Sequence, residues 1–134
     1  MGWSFTLGLW KRRKFILVVE DSATTASVIT SILQSFNYET AVAPTGAEAM
    51  TTIAARAPDL ILLDVLLPDT NGVILCQRLK ADPATRNIPV LYLTSKSETT
   101  IEMNRPIHSA DGYLTKPVDR LLLINHIDRI FRRR

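Results

Sequence analysis

A small set of side chains in this sequence could do covalent or metal chemistry, and their positions are ordered. Two adjacent acids, Glu20 and Asp21, close the apolar run Phe15 to Val19. A third acid, Asp64, closes the run Leu60 to Leu63. Thr94 and Ser95 follow Ile88 to Leu93, and Thr115-Lys116-Pro117 follow Gly112-Tyr113-Leu114. Each group stands at the carboxyl tip of an apolar segment, where a lone charge is expensive to desolvate. Carboxylates gathered in one crevice repel one another and do not all stay ionised unless a cation joins them. Oxygen-only ligands favour a hard ion such as Mg²⁺, which keeps several waters and is often completed by a phosphate. A lysine can pair with a phosphoryl oxygen, a threonine can donate to another, and a carboxylate can be the nucleophile. These parts suit phosphoryl transfer onto Asp64, where positioning and charge neutralisation supply most of the catalysis. Helix capping would account for Glu20 or Asp21 alone. It does not account for four strand ends that each supply a complementary group.

The elements that must position these groups alternate along the chain. "FILVV" is a β-branched strand, and Ser22 can cap the helix after it, with Ile29, Ile32, Leu33 and Phe36 in a stripe. Tyr38 to Ala43 is a short strand. Thr45 caps a second helix, expected to carry Ala47, Met50, Ile53, Ala54 and Ala57 on one face and to stop at Pro58. Leu60 to Leu63 reads as a fully buried strand. Gly72 opens a third helix, with Val73, Cys76 and Leu79 inward, broken at Pro83. Ile88 to Leu93 is the fourth strand. Residues 97–107 are expected to form a weak fourth helix, because Thr99, Thr100, Asn104 and Pro106 oppose regular helix. Gly112 to Thr115 is the fifth strand, and Pro117 starts a last helix with Leu123, Ile127, Ile130 and Phe131 at helical spacing. Strict alternation of this kind implies a parallel sheet with helices on both faces and right-handed crossovers. Ligands then sit at the carboxyl ends of the strands, where Asp64 points.

At this point the chain resembles the receiver domains of two-component response regulators. The resemblance runs from Lys14 to about Phe131 and rests on "LVVED", "LILLDVLLPDTNG", "VLYLTS" and "DGYLTKP". It implies a flavodoxin-like (βα)5 doubly wound sheet of strand order 2-1-3-4-5. It implies a domain over residues 14–131, an apolar and basic extension over 1–13 and a basic tail over 132–134. By the same resemblance, Asp64 is the residue phosphorylated by a sensor histidine kinase. Asp21, Asp64 and the backbone carbonyl of Leu66 would bind Mg²⁺, with Glu20 acting on the metal through water. Thr94 and Lys116 would hold phosphoryl oxygens, and Tyr113 would be the switch aromatic that turns inward when Thr94 moves. The Lys116-Pro117 bond would be cis. The chain would not be an enzyme beyond its own phosphorylation and autodephosphorylation, and would signal to a downstream output protein through the face built by the fourth helix, fifth strand and last helix. It departs from the family pattern at Glu20, where Asp is commoner, and at Leu67, where Met is usual. Leu66 and Lys96 occupy positions that tune attack of water on the phosphoaspartate, and Pro106 makes the fourth helix the largest departure.

Charge is unevenly placed. The formal net charge is +3, yet Lys11 to Lys14 and Arg132 to Arg134 are all basic, which leaves residues 15–131 at −4. An acidic body opposes a broad nucleic-acid surface. The lone cysteine, Cys76, forms no internal disulfide and reads as a small core residue, which suits a cytoplasmic protein. "MGWSFTLGLW" is too short to span a bilayer, and its positive charges follow the apolar stretch, the reverse of a secretory signal. Trp3 and Trp10 in this extension leave three readings open: self-association as a homodimer or another protein contact, contact with an anionic membrane surface, or no role. A receiver-fold interaction or membrane-tethered module is thus the alternative function. A flavin- or nucleotide-binding enzyme of the same topology is disfavoured, because "EDSATT" opens with acids where a phosphate loop would stand. His108 and His126 have no ligand spacing and read as surface or half-buried residues.

Overall fold

A computed structural model describes residues 3–6, 9–95 and 110–133. The expected helix over 97–107 lies outside the described residues, as do Lys96, Pro106 and His108.

Two short strands come first, β1 (Trp3–Thr6) and β2 (Leu9–Arg12), paired antiparallel with Trp3 opposite Arg12 and Phe5 opposite Trp10. This ribbon adds structure where the sequence suggested only an apolar extension. The main sheet follows: β3 (Phe15–Val19), β4 (Glu39–Ala43), β5 (Leu60–Asp64), β6 (Val90–Thr94) and β7 (Gly112–Thr115). All its pairings are parallel and its order is β4-β3-β5-β6-β7, the expected 2-1-3-4-5. The described helices are α1 (Ala23–Ser35), α2 (Gly46–Ala55), α3 (Gly72–Ala81) and α4 (Arg120–Arg132).

The unbroken apolar runs of β3, β5 and β6 have a simple cause: both faces of the sheet are covered. Successive residues in a strand point to opposite faces. Leu17, Val19, Ile61 and Leu63 therefore join one core with Ala49, Ile53, Val73, Cys76 and Leu79 of α2 and α3. Ile16, Val18, Leu60 and Leu62 join the other, with Ile29 and Leu33 of α1 and Leu123, Ile127 and Ile130 of α4. Cys76 is fully buried, as expected, and His126 is half-buried.

Three expectations need correction. The inward face of α2 is Gly46, Ala49, Met50 and Ile53, while Ala47, Ala54 and Ala57 are exposed. The face is set by what it packs against, the core side of β3 and β5. Phe36 is not in the α1 stripe: it is the C-cap residue, exposed, with the Arg120 guanidinium 5.2 Å from its ring centre. The last helix begins at Arg120 rather than Pro117, because the Asp119 carboxylate accepts from the Leu121 and Leu122 N–H groups and so marks the cap.

Candidate functional site

The carboxyl ends of β3, β5, β6 and β7 bring the predicted side chains into one crevice. Parallel pairing sets their level: Asp64 stands opposite Leu93 on β6, and Thr94 opposite Thr115 on β7. Glu20 follows the last residue of β3, and its N–H donates to the Ala43 carbonyl at 3.1 Å. Among the described residues, Glu20, Asp64 and Thr94 are the buried polar or charged ones. Asp21 is exposed at the rim.

The acids are not consumed by helix capping. Ser22 caps α1 through Oγ, which accepts from Thr25 N–H at 3.3 Å, and Asn71 caps α3 by accepting from Val73 N–H at 2.7 Å. Ligand oxygens of Glu20, Asp21 and Asp64 lie within 4.8 Å of one another. Lys116 reaches in from beyond β7. Its Nζ lies 2.6 Å from Glu20 Oε1 and donates to Asp64 Oδ2 at 3.1 Å. The Lys116-Pro117 bond is cis. The remaining carboxylate oxygens are held from the backbone: Ser22 N–H donates to Glu20 Oε2 and Leu66 N–H to Asp64 Oδ1, both at 3.1 Å. Thr94 lies fully buried beside these groups, its hydroxyl donating to the Ser95 carbonyl at 3.2 Å.

Electrostatics follow from this packing. Burial, and then the Glu20 charge, push the Asp64 carboxyl up to about 6, against the pull of Lys116 and the Leu66 N–H. Burial lowers the Lys116 ammonium, but Glu20 and Asp64 more than offset it and hold it above its ordinary value. Three carboxylates thus face one ammonium, an excess of negative charge that a small divalent cation would relieve. The donors are all oxygen, two are buried and one is open to solvent, which fits a hard ion that retains waters.

Tyr113 lies exposed on β7, next in line to Leu114 of the core. Leu66 is exposed at the crevice rim and pairs across the loop with Asn71 in an isolated bridge. Gly72, expected as the start of the third helix, and Asp69 shape this loop in ways that sequence reasoning did not foresee. Gly72 allows α3 to pack on the strand end: a Cβ there would lie 2.2 Å from the Asp64 carbonyl oxygen and 2.9 Å from Val65 Cα. Asp69 reaches across to α2, a contact between residues far apart in sequence that no local pattern announces.

Residues 16–128 match the family described as response regulator receiver domain. The phosphate regulon transcriptional regulatory protein PhoB of Pseudomonas aeruginosa is 38% identical over 120 residues, covering 90% of this chain and 52% of PhoB. The DNA-binding response regulator MtrA of Mycobacterium tuberculosis is 36% identical, again over 90% of this chain and 52% of its own length. The chain therefore spans about half the length of these relatives. Among solved structures, the receiver domain of the sensor histidine kinase PA1611 from Pseudomonas aeruginosa, with a magnesium ion coordinated in its active site cleft, has a TM-score of 0.79 at 27% identity. That match covers 87% of this chain and 96% of that one. The signal receiver domain of a signal transduction histidine kinase from Syntrophus aciditrophicus has a TM-score of 0.78 at 36% identity, over 87% and 88% of the two chains.

Proposed function

This chain belongs to the response regulator receiver domain family, and on that premise we propose that Asp64 is its phosphoacceptor, charged by a sensor histidine kinase in a two-component relay. The observation that carries the reading is the crevice itself: Asp64 buried between Glu20 and Lys116, with Asp21 at the rim and Thr94 beside it. In the transfer, one Asp64 carboxylate oxygen forms a bond to phosphorus as the phosphorus–nitrogen bond of the donor phosphohistidine breaks. The electron pair returns to the imidazole. Lys116 then holds a phosphoryl oxygen in place of Asp64 Oδ2, and Thr94 turns its hydroxyl from the Ser95 carbonyl to donate to another. Asp21, Asp64 and the Leu66 carbonyl would hold Mg²⁺, with Glu20 acting through water. When bound, the ion would neutralise charge on the carboxylates and on the phosphoryl oxygens. The chain's chemistry is then on itself alone: acceptance of the group, and its loss by autodephosphorylation, with Leu66 exposed at the rim where water would enter.

The output surface we infer is the β7–α4 side. Tyr113, Leu121 and Leu122 are exposed there, and a cavity of about 420 Å³ runs between Tyr113, Pro117, Leu122 and His126. A downstream protein would read this face after Thr94 moves and Tyr113 turns inward. No described helix is long and apolar enough to cross a membrane, and we place the protein in the cytoplasm with its phosphoryl donor. We assign residues 14–131 to the switch and residues 1–13 and 132–134 to its extensions.

The test is incubation with Mg²⁺ and acetyl phosphate, followed by intact mass. The unsubstituted chain should gain one phosphoryl group that hydroxylamine or base removes. Asp64→Asn should gain none, and EDTA should abolish the gain. A labile phosphate on Asp64→Asn, or indifference to EDTA, would overturn the assignment.

A further inference from the structure

The loop that follows Asp64 and carries Leu66 at the crevice rim is fastened at a point well outside the crevice. Asp69, at the tip of the loop between β5 and α3, uses both carboxylate oxygens. Gly46 N–H donates to Oδ1 at 2.8 Å and Ala47 N–H donates to Oδ2 at 3.0 Å. These amides belong to the first turn of α2, a helix that already has its own cap in Thr45, whose hydroxyl accepts from Glu48 N–H at 3.1 Å. The helix is served locally by Thr45, so what Asp69 adds is a tie between two separate stretches of chain. The two amides hold the Asp69 carboxyl below the ordinary range, so it stays charged and available as an acceptor. The fit is close: a Cβ on Gly46 would lie 2.6 Å from Thr70 Cγ2. Within the loop, Leu67 N–H donates to the Thr70 carbonyl at 3.2 Å and Gly72 N–H to the Val65 carbonyl at 2.7 Å. Leu66 bridges to Asn71. The loop is thus a closed unit with the reacting groups at one end and the Asp69 tie at the other.

We propose that Asp69 is a positioning residue for the phosphoacceptor site: by clamping the loop tip to the start of α2 it keeps the Asp64 carboxylate and the Leu66 carbonyl in register for Mg²⁺ and the phosphoryl group. This rests on the function proposed above. Groups that orient metal ligands from outside typically matter at the level of about 10–100-fold in affinity, and small misplacement of reacting groups costs rate similarly.

Calorimetric titration of the full chain with Mg²⁺ tests this, alongside thermal melts in EDTA and acetyl phosphate kinetics. Asp69→Ala should raise the Mg²⁺ dissociation constant about tenfold and slow phosphorylation most at low Mg²⁺. Asp69→Asn, which keeps one acceptor oxygen, should fall between. Thr45→Ala is the control: it removes a cap from the same helix end and should lower the melting temperature comparably, while leaving Mg²⁺ affinity within about twofold, well short of the effect expected for an orienting group. A purely structural Asp69 predicts that the two alanine variants act alike, and that result overturns the proposal. Should Asp69→Ala not fold, Gly46→Ala presses on the same loop from the helix side, where its Cβ meets Thr70 Cγ2. It should weaken Mg²⁺ binding even though alanine is the better helix former, and unchanged affinity there also overturns the proposal. An unsubstituted chain that binds no Mg²⁺ or takes no phosphate refutes the underlying reading, and this inference with it. A working unsubstituted chain with an indifferent Asp69→Ala refutes this inference alone.

Discussion

Asp64 sits among groups that pull its proton in opposite directions, and burial with Glu20 prevails over Lys116. The folded-state value near 6 lies above that of an unfolded Asp, so between about pH 4 and 6 the folded chain binds the extra proton. The metal-free protein should therefore lose stability as pH rises through that window. Asp64→Asn mimics the neutral acid, so in EDTA it should be more stable by roughly 1–3 kcal/mol above pH 6 and equal to the parent near pH 4. Saturating Mg²⁺ should remove the advantage by stabilising the parent alone. Thermal melts across pH, with and without the metal, check all of this. Gly72 is constrained differently. Since a Cβ there meets backbone atoms of Asp64 and Val65, which cannot swing aside as a flexible side chain would, Gly72→Ala should cost about 2 kcal/mol or more. It should also depress Asp64 phosphorylation in the fraction that stays folded, a loss visible by intact mass.

At the scale of elements, helix ends decide where functional residues fall. The start of α4 depends on Asp119, which accepts from two backbone amides and follows the Lys116-Pro117 pair by a short connection. Asp119→Ala should lower stability by about 1 kcal/mol, read from denaturant midpoints, and Asp119→Asn should lose less. The strands act in pairs of faces. Leu62 is fully buried against α1 and α4, and Leu63 against α2 and α3. Truncating Leu62 to alanine should therefore cost about 2–5 kcal/mol. That loss comes from the core alone and requires no change at the crevice.

For the whole molecule, the parallel sheet separates two poles. The crevice is at the carboxyl ends of the strands. Lys14 and Phe131 meet at the opposite pole, with Lys14 Nζ 5.4 Å from the Phe131 ring centre, so the basic segments at 11–14 and 132–133 lie near each other there. Acids at this end are engaged: Glu39 pairs with Arg56 at 2.6 Å, and Asp59 accepts from Phe15 N–H. The β1–β2 ribbon joins the body at this same pole through Arg13 and Lys14. Deleting residues 1–10 should leave the rate of Asp64 phosphorylation by acetyl phosphate unchanged, and a several-fold change would show that the ribbon reaches the site.

The sequence by itself determined the alternation of strands and helices, hence the parallel sheet, and so the gathering of Glu20, Asp21, Asp64, Thr94 and Lys116 at one edge. It could do so because apolar runs, caps and strand tips are local signals, and because chain handedness leaves few ways to connect parallel strands. The phase of α2 and the exposure of Phe36 were not legible, since a helix face is fixed by what packs against it and not by composition alone, whereas the start of α4 is marked by a local cap, Asp119, that placing the start at Pro117 missed. The tie from Asp69 to Gly46 and Ala47, and the close approach that requires glycine at position 72, were decided only by tertiary structure. The tie depends on the distance between segments far apart in the chain, which exists only once the fold has brought the loop after β5 and the start of α2 side by side, while the approach at position 72 depends on how tightly the chain turns from the end of β5 into α3.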